Sequence, residues 1–188
     1  MLGASVIRNW LWGGSVVMKQ VAVLGIGNTL LTDDGIGVHA VRWLEERGYG
    51  ERHGIRLIDA GTLSFTLAVE IENVSHLIVI DALRKRSPPG RVHVLRGSEI
   101  DHHLAHAASS VHEVGLGDLL HIARLSGRMP ADIALIGIEP AEIGWGDCPG
   151  PAALAALPAV GRNVEALLAD WGFDSRPARP SDARHAYA

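Results

Sequence analysis

The chain has 188 residues, a length suited to one domain built around a single core. Its formal net charge of −4 supplies no basic face with which to neutralise nucleic-acid phosphates. One cysteine excludes an internal disulfide framework and suits a reducing compartment, and no apolar run approaches the length of a membrane span.

Residues 1–17, MLGASVIRNWLWGGSVV, carry one arginine in mid-segment, and Gly13-Gly14 interrupts the apolar stretch, so they do not read as a secretory signal. They are expected to be a leader outside the fold, with Met18 as an alternative start and the cytoplasm as the location. Val21 to Gly25 is a short apolar run, the pattern of a strand covered on both faces. Asp34 to Arg47 has apolar residues at Ile36, Val38, Val41 and Leu44, a helical spacing that closes at Gly48. Ile55 to Ile58 gives a second strand ending in DAGT. Ser64 to Asn73 predicts a helix, and Leu77 to Ile80 a third strand ending at Asp81. After the turn signal Ser87-Pro88-Pro89-Gly90, Arg91 to Leu95 alternates polar and apolar residues, which suggests an exposed strand near a sheet edge.

Val111 to Leu125 predicts another helix despite Gly115 and Gly117, and Ile133 to Ile138 a strand ending at Glu139. A Gly- and Pro-rich loop covers Ala141 to Pro151. Ala152 to Trp171 predicts the last helix, with Pro158 as a kink. The segment 174–188 lacks the apolar content to pack and is expected to be a mobile tail. Strands alternating with helices imply a three-layer α/β/α sandwich around a mostly parallel twisted sheet of about five strands, over 18–173.

Ligands in such folds sit outside the carboxyl ends of the strands. Asp34, Asp59, Asp81 and Glu139 fall just past four such ends, so that edge is acidic. A dinucleotide fingerprint is not met: Gly25-Ile26-Gly27 is followed by Leu30 where the third glycine belongs. Asp33 and Asp34 also place negative charge where a pyrophosphate would lie. One of them could be a helix N-cap, which leaves the other for a different task. Asp81 ends an apolar strand, where a buried carboxylate calls for a cation, a donor or an open cleft.

Oxygen ligands with an imidazole suit a divalent metal of borderline hardness such as nickel, zinc or manganese. His112, at the start of a helix in SSVHEVGLGDLL, is the candidate imidazole. A rival pair, His102 and His106 in DHHLAH, stands four apart but reads as a solvated polar loop. Cys148 is a lone thiol without a second cysteine for zinc.

The runs GIGNTLLTDDGIG, DAGT, HLIVIDA, SVHEVGLGDLL and IGIEP, in that order, resemble the hydrogenase maturation proteases. These are endopeptidases that trim the C-terminal extension from the large subunit of nickel–iron hydrogenases. The resemblance extends from about Val21 to Trp171, and the five runs are specific together where no single one is. It implies a twisted sheet between helices, with nickel contacts that fall on Asp34, Asp81 and His112. Many members carry glutamate at the first position; Asp34 is one methylene shorter, which would shift the metal or exchange which of Asp33 and Asp34 reaches it.

The resemblance further implies nickel supplied by the substrate rather than held as a resident cofactor, with other divalent metals able to substitute in vitro. The partner is the large-subunit precursor, and a monomer without nucleic-acid binding or membrane insertion is expected. Peptide hydrolysis would be of aspartic type, with Asp34 and Asp81 catalytic, or metal-assisted. Asp33, Asp59 and Glu139 are assigned to orientation or substrate contact. A non-enzymatic nickel or precursor chaperone using the same cleft is the competing expectation.

Overall fold

Alternation along the strands decides which side chains enter each face of the sheet. In β1 (Val21–Ile26), Val21 and Val23 enter one apolar layer, while Ala22, Leu24 and Ile26 enter the other. The computed structural model describes residues 20–62, 67–71, 74–106 and 111–173. Among them β1 is followed by α1 (Ile36–Glu45), β2 (Ile55–Gly61), α2 (Leu67–Ile71), β3 (His76–Ala82) and β4 (Val92–Arg96). Then come α3 (Ser98–His106), α4 (Val111–Leu125), β5 (Asp132–Ile138) and α5 (Pro151–Asp170).

The strands form one sheet in the order β2-β1-β3-β5-β4, parallel except for the antiparallel β4–β5 pair. The segment between β3 and β4 is too short to return the chain to the starting edge, so β4 has to run down from the edge where β3 ends. It is an edge strand, as its alternating sequence suggests.

The architecture is the expected three-layer sandwich. Ile36, Ala40 and Leu44 of α1 and a stripe of α5 from Ala153 to Leu168 pack on one face. Leu67 and Ile71 of α2, Ile100 of α3, and Leu116, Leu119, Leu120 and Ala123 of α4 pack on the other. Each such aliphatic side chain contributes on the order of 1.5–3 kcal/mol by leaving water. Contrary to the expectation that no apolar run approaches a membrane span, α5 has that length and hydropathy, yet it buries its apolar stripe against the sheet. It also runs through Pro158 as a single helix.

Several boundaries differ from expectation for identifiable reasons. The predicted helix over 34–47 begins as a 3-10 turn, Thr32–Gly35, and becomes α-helical only at Ile36. Neither aspartate caps it: the residue before α1 is Gly35, without a side-chain cap bond. DHHLAH lies in α3 rather than in a loop, although His102 is exposed as expected. The helix predicted over 64–73 is described as α2 only, since 63–66 and 72–73 lie outside the described residues, as do the leader 1–17 and the tail 174–188.

α1 approaches the sheet at backbone contact. A Cβ on Gly37 would stand 2.2 Å from the carbonyl oxygens of both Ile26 and Ile80, and one on Gly25 would stand 2.2 Å from the carbonyl oxygen of Gly37. Only hydrogen at these positions lets the helix lie over the join between β1 and β3.

Two buried carboxylates then fix the loops along the carboxyl edge. Asp33, 1% exposed, accepts hydrogen bonds from the N–H groups of Gly150 at 2.6 Å, Ala141 at 2.7 Å and Glu142 at 3.3 Å. It joins the loop after β1 to the loop after β5. The same two loops pair at Leu31 and Gly146, and Thr32 Oγ1 accepts from Gly144 N–H while donating to the Glu142 carbonyl.

Glu139 likewise accepts from Lys85 N–H at 2.7 Å and Ser87 Oγ at 2.8 Å, tying the end of β5 to the β3–β4 turn. Burial would raise its pKa. The N–H groups of Lys85, Ser87 and Arg86 and the Ser87 hydroxyl outweigh burial and hold it below its usual 4.5.

Asp33→Asn puts an amide donor against N–H donors, and urea unfolding should read a loss of about 1.5–3 kcal/mol. Glu139→Gln should lower the melting temperature at neutral pH. Because the folded pKa of Glu139 is depressed, its contribution is whole above pH 4.5 and is lost as pH falls below that value. The gap between wild type and variant should therefore narrow in acid, and an equal gap at all pH values would contradict this role.

Candidate functional site

The strand order reverses between β1 and β3: the chain leaves β1 for β2 on one side, while β3, β5 and β4 lie on the other. In open α/β sheets the crevice at such a reversal, outside the carboxyl ends, is where ligands bind. The loop after β1 carries Asp34 and the end of β3 carries Asp81. Both are buried at 7–8% exposure. Gly37, one turn beyond Asp34, lies against Ile80, the neighbour of Asp81, so both aspartates belong to this one junction.

Local sequence explains how Asp34 is held. Its Oδ2 accepts the N–H of Asn28 at 3.0 Å, and its own N–H donates to the Leu31 carbonyl at 2.9 Å, folding the loop back on itself. Gly27, at φ +139°, permits this, since a Cβ there would lie 2.0 Å from the Asp34 carbonyl oxygen. Asn28 Oδ1 in turn accepts Leu30 N–H at 3.0 Å. Asn28 is a residue the sequence reading missed; an asparagine directly after the second glycine, able to close a turn on the backbone two residues on, was the available signal.

Asp81 is the penultimate residue of β3, and Gly137 of β5 is its neighbour in the sheet. Its Oδ1 accepts the N–H of Ala82 at 2.7 Å. Alternation puts Asp81 on the face of Leu77 and Val79, the face that α4 covers.

His112 falls in the first turn of α4. The far end of that helix, at Arg124, approaches Asp101 of α3 with Nη2 3.9 Å from Oδ1. α3 leaves the starting edge of the sheet after β4, and α4 leads back to β5 at that same edge, so the first turn of α4 lies at the carboxyl edge. The backbone of His112 therefore shares both the edge and the sheet face of Asp81. Its ring lies outside the described side chains. Among the described residues no group of three or more His, Cys, Asp or Glu side chains gathers to hold a metal ion.

The other acidic residues do not join the pair. Asp59 is exposed on the opposite face of the sheet, toward α1, where its Oδ2 meets Arg42 Nη2 at 3.1 Å and its Oδ1 accepts Gly61 N–H. Asp33 and Glu139 lie at the same edge, where both are buried and accept backbone N–H groups that hold the neighbouring loops. The observed bonds of Asp33 and Glu139 are of the orienting kind, and Asp59 pairs with Arg42 on the face of α1.

The sequence reading also missed His39, on α1, whose Nε2 is buried without a hydrogen-bond partner among the described residues. Burial and the Arg42 guanidinium hold its pKa below 6.5, against the pull of Asp59 and Asp147. A histidine inside an apolar helical stripe was the available signal.

Two carboxylates at a strand-end reversal, with a histidine-bearing helix start on the same edge and face as one of them, are of a type that can accept a proton from water or complete the coordination of a metal. Their chemistry is that of peptide or ester hydrolysis, or of metal recognition.

Comparison with known proteins agrees with this arrangement. A family model described as hydrogenase maturation protease matches residues 38–157. Hydrogenase 2 maturation protease of Escherichia coli K12 is 33% identical over 159 residues, 84% of this chain and 96% of that protein. Hydrogenase expression/formation protein HupM of Azotobacter chroococcum mcd 1 is 36% identical over 124 residues, 66% of this chain. The match spans 59% of that relative's length. Among solved structures, the hydrogenase maturating endopeptidase HybD from E. coli superposes with a TM-score of 0.77 at 32% identity, covering 87% of this chain and 99% of that one. Motifs, sheet order and these likenesses agree, and the chain belongs to the hydrogenase maturation protease family.

Proposed function

We propose that this chain is the endopeptidase that removes the C-terminal extension from a nickel–iron hydrogenase large-subunit precursor once nickel has been inserted. What supports this reading is that buried Asp34 and Asp81 follow β1 and end β3 at the strand-order reversal, with α4 beginning at the same edge of the sheet. The names of the relatives, which include a maturation protease and an endopeptidase, support it.

In this reading nickel arrives as part of the substrate. Asp34, Asp81 and His112 would complete its coordination, so a precursor without metal offers these three residues nothing to bind. Two carboxylates and an imidazole leave room for a water or for the substrate's own ligands. The bound metal supplies Lewis acidity near the scissile carbonyl. The chain's part is to position that carbonyl and to take a proton from the attacking water, a task for whichever of Asp34 and Asp81 does not face the metal at that moment. Asn28 keeps Asp34 oriented through its backbone N–H.

Incubation with a nickel-loaded precursor should release the C-terminal peptide, read by mass spectrometry, while a nickel-free precursor stays whole. Asp34→Asn, Asp81→Asn and His112→Ala should each lower the processing rate by about 100-fold or more. A wild-type protein that binds the precursor tightly but never changes its mass would make it a binding protein instead. Three variants that all process at the wild-type rate would refute the site.

A further inference from the structure

Three large apolar side chains stand in solvent beside the crevice. Trp145 is 87% exposed, Leu30 59% and Ile143 38%. Scattered exposed apolar residues are ordinary on a soluble protein, so contiguity and rigidity decide whether these carry meaning. Leu30 and Trp145 are contiguous, and Ile143 stands two residues before Trp145 in the same loop. Leu31 and Gly146 form a parallel bridge, and Leu30 and Trp145 each immediately precede their member of that pair, so the two occupy neighbouring positions on paired strands of loop. Gly146 N–H donates to the Leu30 carbonyl at 3.0 Å, and Thr32 N–H donates to the Gly146 carbonyl at 2.9 Å.

They are also held rigidly. Asp33 and Thr32 pin the loop of Ile143 and Trp145 at Ala141, Glu142, Gly144 and Gly150. A loop with this many long-range bonds presents its tryptophan at a defined place, with little ordering entropy left to lose on binding. The ledge is continuous with the crevice, because Leu30 lies within the turn that the Asp34 carboxylate closes on Asn28. Its charge has one sign: exposed Glu142 precedes Ile143 and exposed Asp147 follows Trp145 by two residues.

We propose that Leu30, Ile143 and Trp145 form the docking ledge for the precursor segment next to the cleaved bond, and that this segment presents a bulky apolar side chain flanked by basic residues. This rests on the processing role proposed above. A tryptophan in a rigid, partly apolar setting is the kind of residue that dominates an interface, and the acidic flanks select and steer a basic partner. The ledge thereby supplies the grip that two buried carboxylates cannot, and aligns the chain before the metal is reached.

The test measures two quantities with nickel-loaded precursor: steady-state processing, and equilibrium affinity for the cleavage-blocked Asp81→Asn protein with and without the ledge substitutions. Trp145→Ala and Leu30→Ala should each raise KM by about tenfold, the 1.4 kcal/mol scale of an interface anchor, with much less change in kcat. Trp145→Phe should recover most of the loss. Glu142→Gln with Asp147→Asn should weaken binding and flatten its dependence on salt. Leu125→Ala, an exposed leucine at the other end of α4, should leave processing unchanged.

Wild-type KM and affinity in the Trp145→Ala, Leu30→Ala double variant would overturn the ledge while leaving the protease reading intact. Absent cleavage by wild type, with binding that still depends on Trp145, would overturn the protease reading and keep the ledge. Neither cleavage nor binding would overturn both.

Discussion

The carboxylate of Asp33 is the interaction on which the carboxyl edge depends. It gathers three backbone N–H groups from the segment 141–150, at the approach to α5, and ties them to a turn that follows β1. A buried carboxylate is tolerable only when donors replace the water it has lost, and here backbone amides do so. Because Gly150 leads directly into α5, the same bonds set where that helix begins and how the longest apolar stripe meets the sheet. The turn that carries Asp34 is thereby braced from outside as well as from within.

Adjacent aspartates in a glycine-rich loop thus divide their labour. Sequence alone leaves both beside a helix start, where a carboxylate is welcome for the helix's own sake. The structure withdraws that explanation, since α1 begins after Gly35 without a side-chain cap. Asp33 turns to a distant loop and Asp34 turns back toward Asn28 at the mouth of the crevice. The glycines that looked like a phosphate cradle serve another purpose: Gly25 admits the backbone of α1 at Gly37 and Gly27 admits the turn at Asp34, so closely that no side chain fits between.

Much of this was legible in the residues, and for physical reasons. Buried parallel strands are continuous apolar runs, and amphipathic α4 declares itself by period, so β1, β3, β5 and α4 fall nearly where periodicity puts them. Asp81 is legible too, because a carboxylate at the end of such a run is anomalous. What escaped notice depends on partners far off in sequence. Nothing local distinguishes Glu139, bound to Lys85 and Ser87, from Asp81, which lies in the crevice, though both end apolar strands. Asp59 resembles them again, yet faces the other side of the sheet because its parity along β2 differs. α3 was missed for a related reason: an exposed helix rich in His and Asp lacks the stripe that periodicity needs.

The last strand among the described residues, β5, lies inside the sheet rather than at its rim, between β3 and β4. During synthesis the first four strands therefore emerge with an empty lane among them, and β4 has no neighbour to hydrogen-bond until residue 132 and beyond arrive. Gly137, beside Asp81, belongs to that late lane. A nascent chain thus carries both crevice aspartates long before it owns the walls that desolvate and aim them. The desolvation of Asp81 thus waits on β5, so the junction is completed in the order in which its walls are made, not in the order in which its aspartates appear.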